Sequence, residues 1–171
     1  VNEGSGGNVS LTPANGPWEH GELYDLVASA QTGYSFLNWT GDQNSTNSLR
    51  SGISEPNNKV GVISPIELTA NFSKNQYSVQ VLSSTGGSAN GSGTYTIDDN
   101  PTIQAIPESG WKFSSWTGDL TYLIAQNASS SLVQLTTAPL SLSYTANFSR
   151  QIYAFEVAVE GQGLVNNQTG F

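Results

Sequence analysis

Hydrophobic and polar residues alternate in several short runs of the chain. The alternation is strict in residues 77–81 (Tyr-Ser-Val-Gln-Val) and 153–159 (Tyr-Ala-Phe-Glu-Val-Ala-Val), and it recurs in residues 102–105 (Thr-Ile-Gln-Ala). A period of two predicts half-buried β-strands. Glycine-rich links, such as residues 90–93, predict hairpin turns. A helix is expected only around residues 120–128, so the pattern predicts a mainly β protein.

The chain also repeats itself, which determines its predicted organisation. Residues 33–42 (Gly-Tyr-Ser-Phe-Leu-Asn-Trp-Thr-Gly-Asp) recur as residues 110–119 (Gly-Trp-Lys-Phe-Ser-Ser-Trp-Thr-Gly-Asp), at an offset of 77. A Thr-Ala-Asn-Phe-Ser segment at residues 69–73 recurs at residues 145–149, at an offset of 76. The repeat is therefore about 76 residues long. We expect repeat 1 over residues 1–74, repeat 2 over residues 75–150 and the start of a third repeat over residues 151–171.

The order of these motifs resembles a known family. A Tyr-x-Val-x-Val strand, a glycine-rich hairpin, a Gly-aromatic-x-Phe-x-x-Trp-x-Gly-Asp segment and a closing Thr-Ala-Asn-Phe together resemble the divergent internalin-type B-repeat, a bacterial repeat module. The resemblance implies small β-grasp-like modules in tandem on secreted or surface-anchored prokaryotic proteins, bacterial or archaeal, where they form stalks or adhesion modules. It implies no catalysis.

The repeated aromatic residues are expected to form the core of each module. Trp39 and Trp116 occupy equivalent positions, and one tryptophan buries about 200 Å2, which matters in a module this small. A spacing of three between Phe36 and Trp39 breaks β alternation, so we expect a bulge, or a bend at the strand end, there and at the equivalent place in repeat 2. The two Gly-Asp pairs that follow are predicted to be turns, with each carboxylate accepting local N–H groups. The predicted core aromatics are Phe36, Trp39, Phe72, Phe113, Trp116 and Phe148.

The phase of the repeat is unusual at both ends. Repeat 1 begins at its glycine-rich hairpin and lacks a Tyr-x-Val-x-Val strand before it, whereas residues 152–159 supply a surplus strand after repeat 2. Two explanations stay open: neighbouring repeats of a longer array fill the gap, or the surplus strand inserts into repeat 1 of the next subunit. The side chains predicted to face inward in such a donor strand are Tyr153, Phe155, Val157 and Val159.

Composition and charge exclude several classes of function. The chain has 13 acidic and 5 basic residues, for a net charge of −8, and its basic residues are scattered, which excludes strong binding to nucleic acid or to anionic membranes. It has neither Cys nor Met, which excludes disulfides and thiolate chemistry. No apolar run is long enough to insert into a membrane. A weakly charged, hydroxyl-rich surface favours an extracellular or cell-surface location.

Catalytic and metal-binding motifs are weak or absent. His20 is the only histidine and no Gly-x-Ser-x-Gly motif occurs, so we predict a protein that is not an enzyme and needs no cofactor. Calcium would need six to eight converging oxygens. The acidic cluster of residues 98–100 does not recur in repeat 1 and is predicted to be a solvated turn.

Two further kinds of candidate site are visible. Trp18 and Trp111, with Tyr34 at the position of Trp111, are candidate sugar-stacking residues, and Trp18 has no obvious counterpart in repeat 2. Asn-x-Ser/Thr sequons make Asn44, Asn90 and Asn127 candidate glycosylation sites in loops.

The sequence therefore favours a structural role outside the cell. We expect a rigid spacer or subunit of a surface stalk, adhesin or filament, whose partners are neighbouring repeats or identical subunits in head-to-tail contact. The alternative is a carbohydrate-binding module that recognises glycans through its exposed aromatic residues.

Overall fold

The structure is a computed structural model that describes residues 2–3, 5–158 and 161. It is mainly β, as the alternation predicts. Repeat 1 comprises β1 (Asn2–Glu3), β2 (Gly7–Thr12), β3 (Leu23–Ala30), β4 (Tyr34–Gly41), α1 (Gln43–Asn47), β5 (Asn57–Gly61) and β6 (Leu68–Lys74). Repeat 2 comprises β7 (Tyr77–Ser83), β8 (Gly87–Asn90), β9 (Gly93–Tyr95), β10 (Thr102–Pro107), β11 (Trp111–Gly118), the 3-10 helix η1 (Leu120–Tyr122), β12 (Ser130–Leu132) and β13 (Ser141–Arg150).

Both repeats build an equivalent pair of sheets, one of which has an additional strand, β9, in repeat 2. Repeat 1 has sheets of order β1-β6-β4 and β2-β3-β5, and repeat 2 has sheets of order β11-β13-β7-β9 and β12-β10-β8. Each repeat has its own buried cluster, to which both of its sheets contribute. Trp39 and Trp116 are at the centre of these clusters, at 0% and 2% exposure, and each indole N–H donates to a backbone carbonyl oxygen 2.9 Å away. The four phenylalanines of the motifs, Phe36, Phe72, Phe113 and Phe148, pack partly buried against the clusters.

The first strand of each repeat pairs in parallel with the last. In repeat 2, β7 lies parallel to β13, with Leu82 opposite Thr145. In repeat 1, β1 lies parallel to β6, with Asn2 opposite Thr69. Because Thr69 and Thr145 are equivalent, β1 holds the position of the last two residues of β7. The expectation that repeat 1 lacks its first strand was therefore incomplete, since a two-residue strand occupies the end of that position.

A bulge follows the phenylalanine of each long strand. The register of β4 on β6 shifts between Phe36 and Asn38, and that of β11 on β13 shifts between Phe113 and Ser115. The asparagine of the Thr-Ala-Asn-Phe motif stabilises this region in both repeats. Asn71 Nδ2 donates to Asn38 Oδ1 (2.9 Å) and Thr40 Oγ1 (3.0 Å), and Asn147 Nδ2 donates to Ser115 O (3.3 Å) and Thr117 Oγ1 (3.2 Å).

The two Gly-Asp pairs do not behave alike. Asp42 caps α1 and its Oδ1 accepts the Ser45 backbone N–H at 2.7 Å, a local contact of the kind predicted. Asp119 Oδ2 accepts the N–H of Ser143, 24 residues away, at 2.7 Å.

The expectation of a helix only around residues 120–128 was wrong, because that region contains just η1 while the five-residue α1 lies in repeat 1. The pattern of hydrophobic and polar residues does not predict a helix of only five residues, such as α1.

The surplus strand predicted after repeat 2 is not formed within this chain. Residues 152–158 adopt no strand and are exposed, and Val159 lies outside the described residues. A strand needs a neighbour to satisfy its N–H and C=O groups, and no described strand of the same chain pairs with this segment.

Candidate functional site

Repeat 1 contains an open apolar groove of 330 Å3 beside β6. It extends from the core side of β3 and β5 to the segment that leads into β6. The residues that line it are Leu11, Trp18, Leu26, Val60, Val62, Ser64, Pro65, Ile66 and Leu68. Because all but one of these residues are apolar, the groove has little capacity to orient a polar ligand, and it suits apolar side chains instead.

In repeat 2 the equivalent space is filled by β7. Tyr77, Val79 and Val81 are buried at 2–8% exposure, while Ser78 and Gln80 between them face solvent. This strand lies between two partners, because it pairs in parallel with β13 and antiparallel with β9. Its inward side chains thus complete the core cluster of repeat 2.

The walls of the two spaces correspond residue by residue. Two isolated bridges, Leu49 with Val60 and Leu123 with Val133, align the loops of the two repeats. With the strand registers, they match the wall residues Leu26, Val60, Val62, Ile66 and Leu68 of repeat 1 to Ile103, Val133, Leu135, Leu142 and Tyr144 of repeat 2. All five wall residues of repeat 2 are buried. Of the groove residues, only Trp18 was predicted from the sequence as part of a site, although the repeat offset aligns three of the five wall residues (Leu26, Ile66 and Leu68) with their counterparts.

One wall position differs in size and polarity. Leu68 of repeat 1 is replaced by Tyr144 in repeat 2, and both side chains are fully buried. The Tyr144 hydroxyl has no hydrogen-bond partner. Burial, with a smaller contribution from the negative charge of Asp119, raises the pKa of Tyr144 to about 12. The smaller leucine leaves repeat 1 with more room at this point.

Trp18, at the rim of the groove, has a structural counterpart after all. The N–H of Glu22 donates to Glu19 O (3.2 Å), and at an offset of 77 the N–H of Asp99 donates to Thr96 O (3.0 Å). The residue just before this turn is Trp18 in repeat 1 and Tyr95 in repeat 2. Tyr95 is opposite Tyr77 in the β7–β9 pair, whereas Trp18 is 43% exposed. The expectation that Trp18 is unmatched was wrong, because the loop before it is longer than in repeat 2.

The predicted donor segment leaves repeat 2 as β7 leaves repeat 1. Asn75 donates its N–H to Gly33 O at 2.8 Å, two residues before Tyr77, and Gln151 donates to Gly110 O at 2.8 Å, two residues before Tyr153. After this hydrogen bond, β7 continues into the core of repeat 2, whereas residues 152–158 are exposed to solvent. Its apolar side chains, Ile152 (93% exposed), Tyr153 (77%), Phe155 (89%) and Val157 (61%), are among the most exposed hydrophobic groups of the described chain.

Tyr34 and Trp111 are packing residues in equivalent places. Each ring lies against a glycine with positive φ, Gly6 (+100°) for Tyr34 and Gly86 (+103°) for Trp111, where a Cβ would come within 2.3 Å of the ring. Arg150 lies 5.0 Å from the centre of the Trp111 ring. No ring contact joins Trp18, Tyr34 or Trp111 to one another in the part of the chain that the structure describes. A sugar-binding role for the three stays a prediction.

The remaining polar candidates lie apart on the surface. Asn44 (in α1), Asn90 (at the end of β8) and Asn127 (in a turn) are all exposed, and their glycosylation stays a prediction. Asp98 pairs with Lys74, and Asp99 Oδ2 accepts the Thr96 N–H (2.6 Å) and hydroxyl (2.9 Å), which lowers the pKa of Asp99.

Two features of the described residues bear on metal and membrane binding. They contain no group of three or more His, Cys, Asp or Glu side chains that could hold a metal ion. Among the same residues, no helix has the length and apolar character needed to cross a membrane.

The comparisons with known proteins agree with the repeat structure. No curated protein and no solved structure matches the chain. A family model, that of the divergent InlB B-repeat domain, matches residues 1–76 and again residues 77–152. This family is a repeat-domain family of the bacterial cell-surface type and is not known for enzymatic activity. The match covers most of the sequence in two consecutive copies, and the chain therefore belongs to the divergent InlB B-repeat family.

Proposed function

We propose that the protein is an extracellular, non-catalytic structural module that acts as a rigid spacer in a surface stalk or adhesin. The observation that carries this proposal is the close junction between the repeats. Only residues 75 and 76 separate β6 from β7, so the last strand of repeat 1 leads directly into the core strand of repeat 2. A linker this short allows little independent movement of the two modules.

Side-chain contacts across the junction support the same role. Ile97 of repeat 2 packs against Gly33 of repeat 1, where an added Cβ would lie 2.5 Å from the isoleucine Cβ. Lys74 and Asp98 form an ion pair across the junction. Ser35 Oγ donates to Asn75 Oδ1 at 2.6 Å and anchors the linker. Apolar contact, charge pairing and hydrogen bonding thus all connect the two repeats.

A matched pair of glycines tests the proposed rigidity. Gly33 and Gly110 are equivalent and both have positive φ (+82° and +78°), but a Cβ at Gly110 meets nothing within 4 Å. Gly33→Ala and Gly110→Ala therefore impose similar backbone strain, and only Gly33→Ala pushes against the other repeat. We expect Gly33→Ala alone to loosen the junction.

The measurement is an inter-repeat distance distribution by pulsed electron paramagnetic resonance. The chain has no cysteine, so Asn44→Cys and Asn127→Cys place one spin label on each repeat. We expect a narrow distribution for the parent chain and for Gly110→Ala, and a broader one for Gly33→Ala. A broad distribution in the parent chain would contradict the rigid spacer.

The groove and the exposed segment favour a second candidate function, that of a filament subunit. A spacer can be extended through a continuous chain or through contacts between chains. The open groove of repeat 1 and the apolar segment after repeat 2 are complementary features of one molecule, and they support assembly between chains.

A further inference from the structure

We infer that the groove of repeat 1 binds residues 153–157 of a second copy of this chain, as a parallel strand beside residues 64–68, the segment that leads into β6. The inference rests on the proposed structural role, because it assigns a partner to the same modules. The donated segment would take the place that β7 holds in repeat 2. The joint is head-to-tail, because the groove lies in repeat 1 and the donated segment follows repeat 2.

The pairing of β7 with β13 in repeat 2, transferred to the equivalent residues of repeat 1, gives the register between the donated segment and the groove. Val79 is opposite Leu142 and Val81 opposite Tyr144 in the β7–β13 pair. Translated by the repeat, Phe155 lies opposite Ile66 and Val157 opposite Leu68, while Tyr153 reaches Trp18 as Tyr77 reaches Tyr95. Ala154 and Glu156 then face solvent, as Ser78 and Gln80 do. A shift of one residue would bury Glu156, so the alternation of the segment excludes every register that is displaced by an odd number of residues.

Strand β1 sets the length of the donated segment. Asn2 and Glu3 are already paired with Thr69 and Ala70, the positions that Ala158 and Val159 would otherwise reach. The donated segment therefore extends at most from Tyr153 to Val157, beside residues 64–68, and five residues of β7, 77–81, fill the equivalent space in repeat 2. The donated strand is shorter than the predicted 152–159.

The sizes of the side chains are also complementary. The donated segment carries Phe155 where β7 carries the smaller Val79. The wall of repeat 1 carries Leu68 where repeat 2 carries the larger Tyr144. A larger inserted side chain thus meets a roomier wall, as close packing requires.

One charged pair distinguishes this register from nonspecific association. Glu156 would lie opposite Glu67, at the place where Gln80 faces Ser143 in repeat 2. Like charges directly opposite each other weaken a strand pair. Glu156→Gln restores the amide found in β7, and we expect it to tighten assembly about threefold. Higher ionic strength screens the repulsion between the two carboxylates, so it should also strengthen the assembly of the parent chain.

Complementation between two defective chains tests the joint. Phe155→Asp removes the donor and keeps the groove, while Ile66→Asp places a charge in the groove and keeps the donor. Phe155 is 89% exposed and Ile66 is a partly buried wall residue, so we expect both variants to fold, which circular dichroism checks. In sedimentation velocity, we expect the parent chain to form concentration-dependent oligomers and each variant to stay monomeric. A mixture of the two variants should form a dimer that grows no further.

Disulfide trapping tests the register in that dimer. Glu67→Cys is added to the Phe155→Asp chain and Glu156→Cys to the Ile66→Asp chain, so these are the only thiols present. Neighbouring strands lie about 4.8 Å apart, within reach of a disulfide. We expect rapid cross-linking. The control, Thr69→Cys in place of Glu67→Cys, lies two residues out of register and should cross-link at least tenfold more slowly.

Several results would overturn the inference. They are a parent chain that stays monomeric at millimolar concentration, oligomers that persist in Ile66→Asp, a variant mixture that does not dimerise, and equal cross-linking by the control. Oligomers of fixed size at every dilution would also overturn it. A narrow spin-label distribution without assembly would leave the spacer role intact and refute the joint alone, whereas assembly with a broad distribution would refute only the rigid spacer.

Discussion

The two repeats have equivalent sheets, apart from β9 of repeat 2, and they have the same bulges and the same central tryptophan, yet only repeat 2 has a filled core. In repeat 2, β7 places Tyr77, Val79 and Val81 between the wall residues. In repeat 1 the equivalent walls surround a groove of 330 Å3. The core of repeat 2 is thus completed by its own first strand, β7, whereas repeat 1 has only the two residues of β1 at the equivalent place.

The largest expected effect is that of removing the central tryptophan of each repeat. It tests whether the two repeats are equally well packed around that residue. Trp39→Ala and Trp116→Ala each remove a fully buried ring and an indole hydrogen bond of the same length. We expect each to lower the free energy of unfolding by about 4 kcal/mol, measured by urea denaturation. A much smaller effect in repeat 1 would mean that the open groove has already loosened the packing around Trp39.

A second pair of substitutions separates the filled groove from the open one. Val79→Ala removes two buried methyl groups from repeat 2 and should lower the free energy of unfolding by about 2 kcal/mol. Phe155→Ala removes a larger but exposed side chain, so in dilute, monomeric protein its effect should stay within about 0.5 kcal/mol. A comparable loss for Phe155→Ala in the monomer would show that the segment packs within its own chain.

A third prediction concerns the wall residue that differs between the repeats. Tyr144→Phe removes a buried hydroxyl without a partner and should raise the free energy of unfolding by about 1 kcal/mol at pH 7. In the parent chain the pKa of Tyr144 rises to about 12 from an ordinary value of 10.0. Because the pKa is higher in the folded protein, this group does not change the free energy of unfolding below pH 10 but lowers it as the pH rises from 10 towards 12, by up to about 1.4 kcal/mol per pH unit.

The comparison of Tyr144→Phe with the parent chain isolates this group from the other tyrosines. Urea denaturation of both proteins between pH 9 and pH 12 should give a shallower alkaline decline for the variant. Parallel declines would show that the Tyr144 hydroxyl ionises as freely in the folded protein as in the unfolded chain.

The last prediction compares how much each of the two asparagines that support the bulges contributes to the free energy of unfolding. Asn71→Ala and Asn147→Ala each remove an amide that donates across the bulge, and each should cost about 1 kcal/mol. The loss should be greater for Asn71, whose bonds of 2.9 and 3.0 Å are shorter than those of Asn147. Thermal unfolding of both variants measures the difference, and a reversed order would contradict it.

Much of the fold was predictable because it follows from local pattern. Period-two alternation indicated β7 and β10, and the offset of 77 indicated that Trp39 and Trp116 share one environment. The groove was not predictable in this way, because Leu26, Ile66 and Leu68 read as ordinary core residues, and only the structure shows that the space beside them is open. Alternation alone could not predict whether residues 152–158 form a strand within one chain, since a strand-forming pattern also needs a partner edge.

The parallel pairing of β7 and β13 has a mechanical consequence. A chain under tension is pulled at the start of β7 and at the end of β13, along two neighbouring strands and in opposite directions. Such a pull loads their hydrogen bonds in shear, so that the bonds from Ser78 to Ser83 resist together instead of opening one after another. Repeat 2 is thus built to bear load along its length.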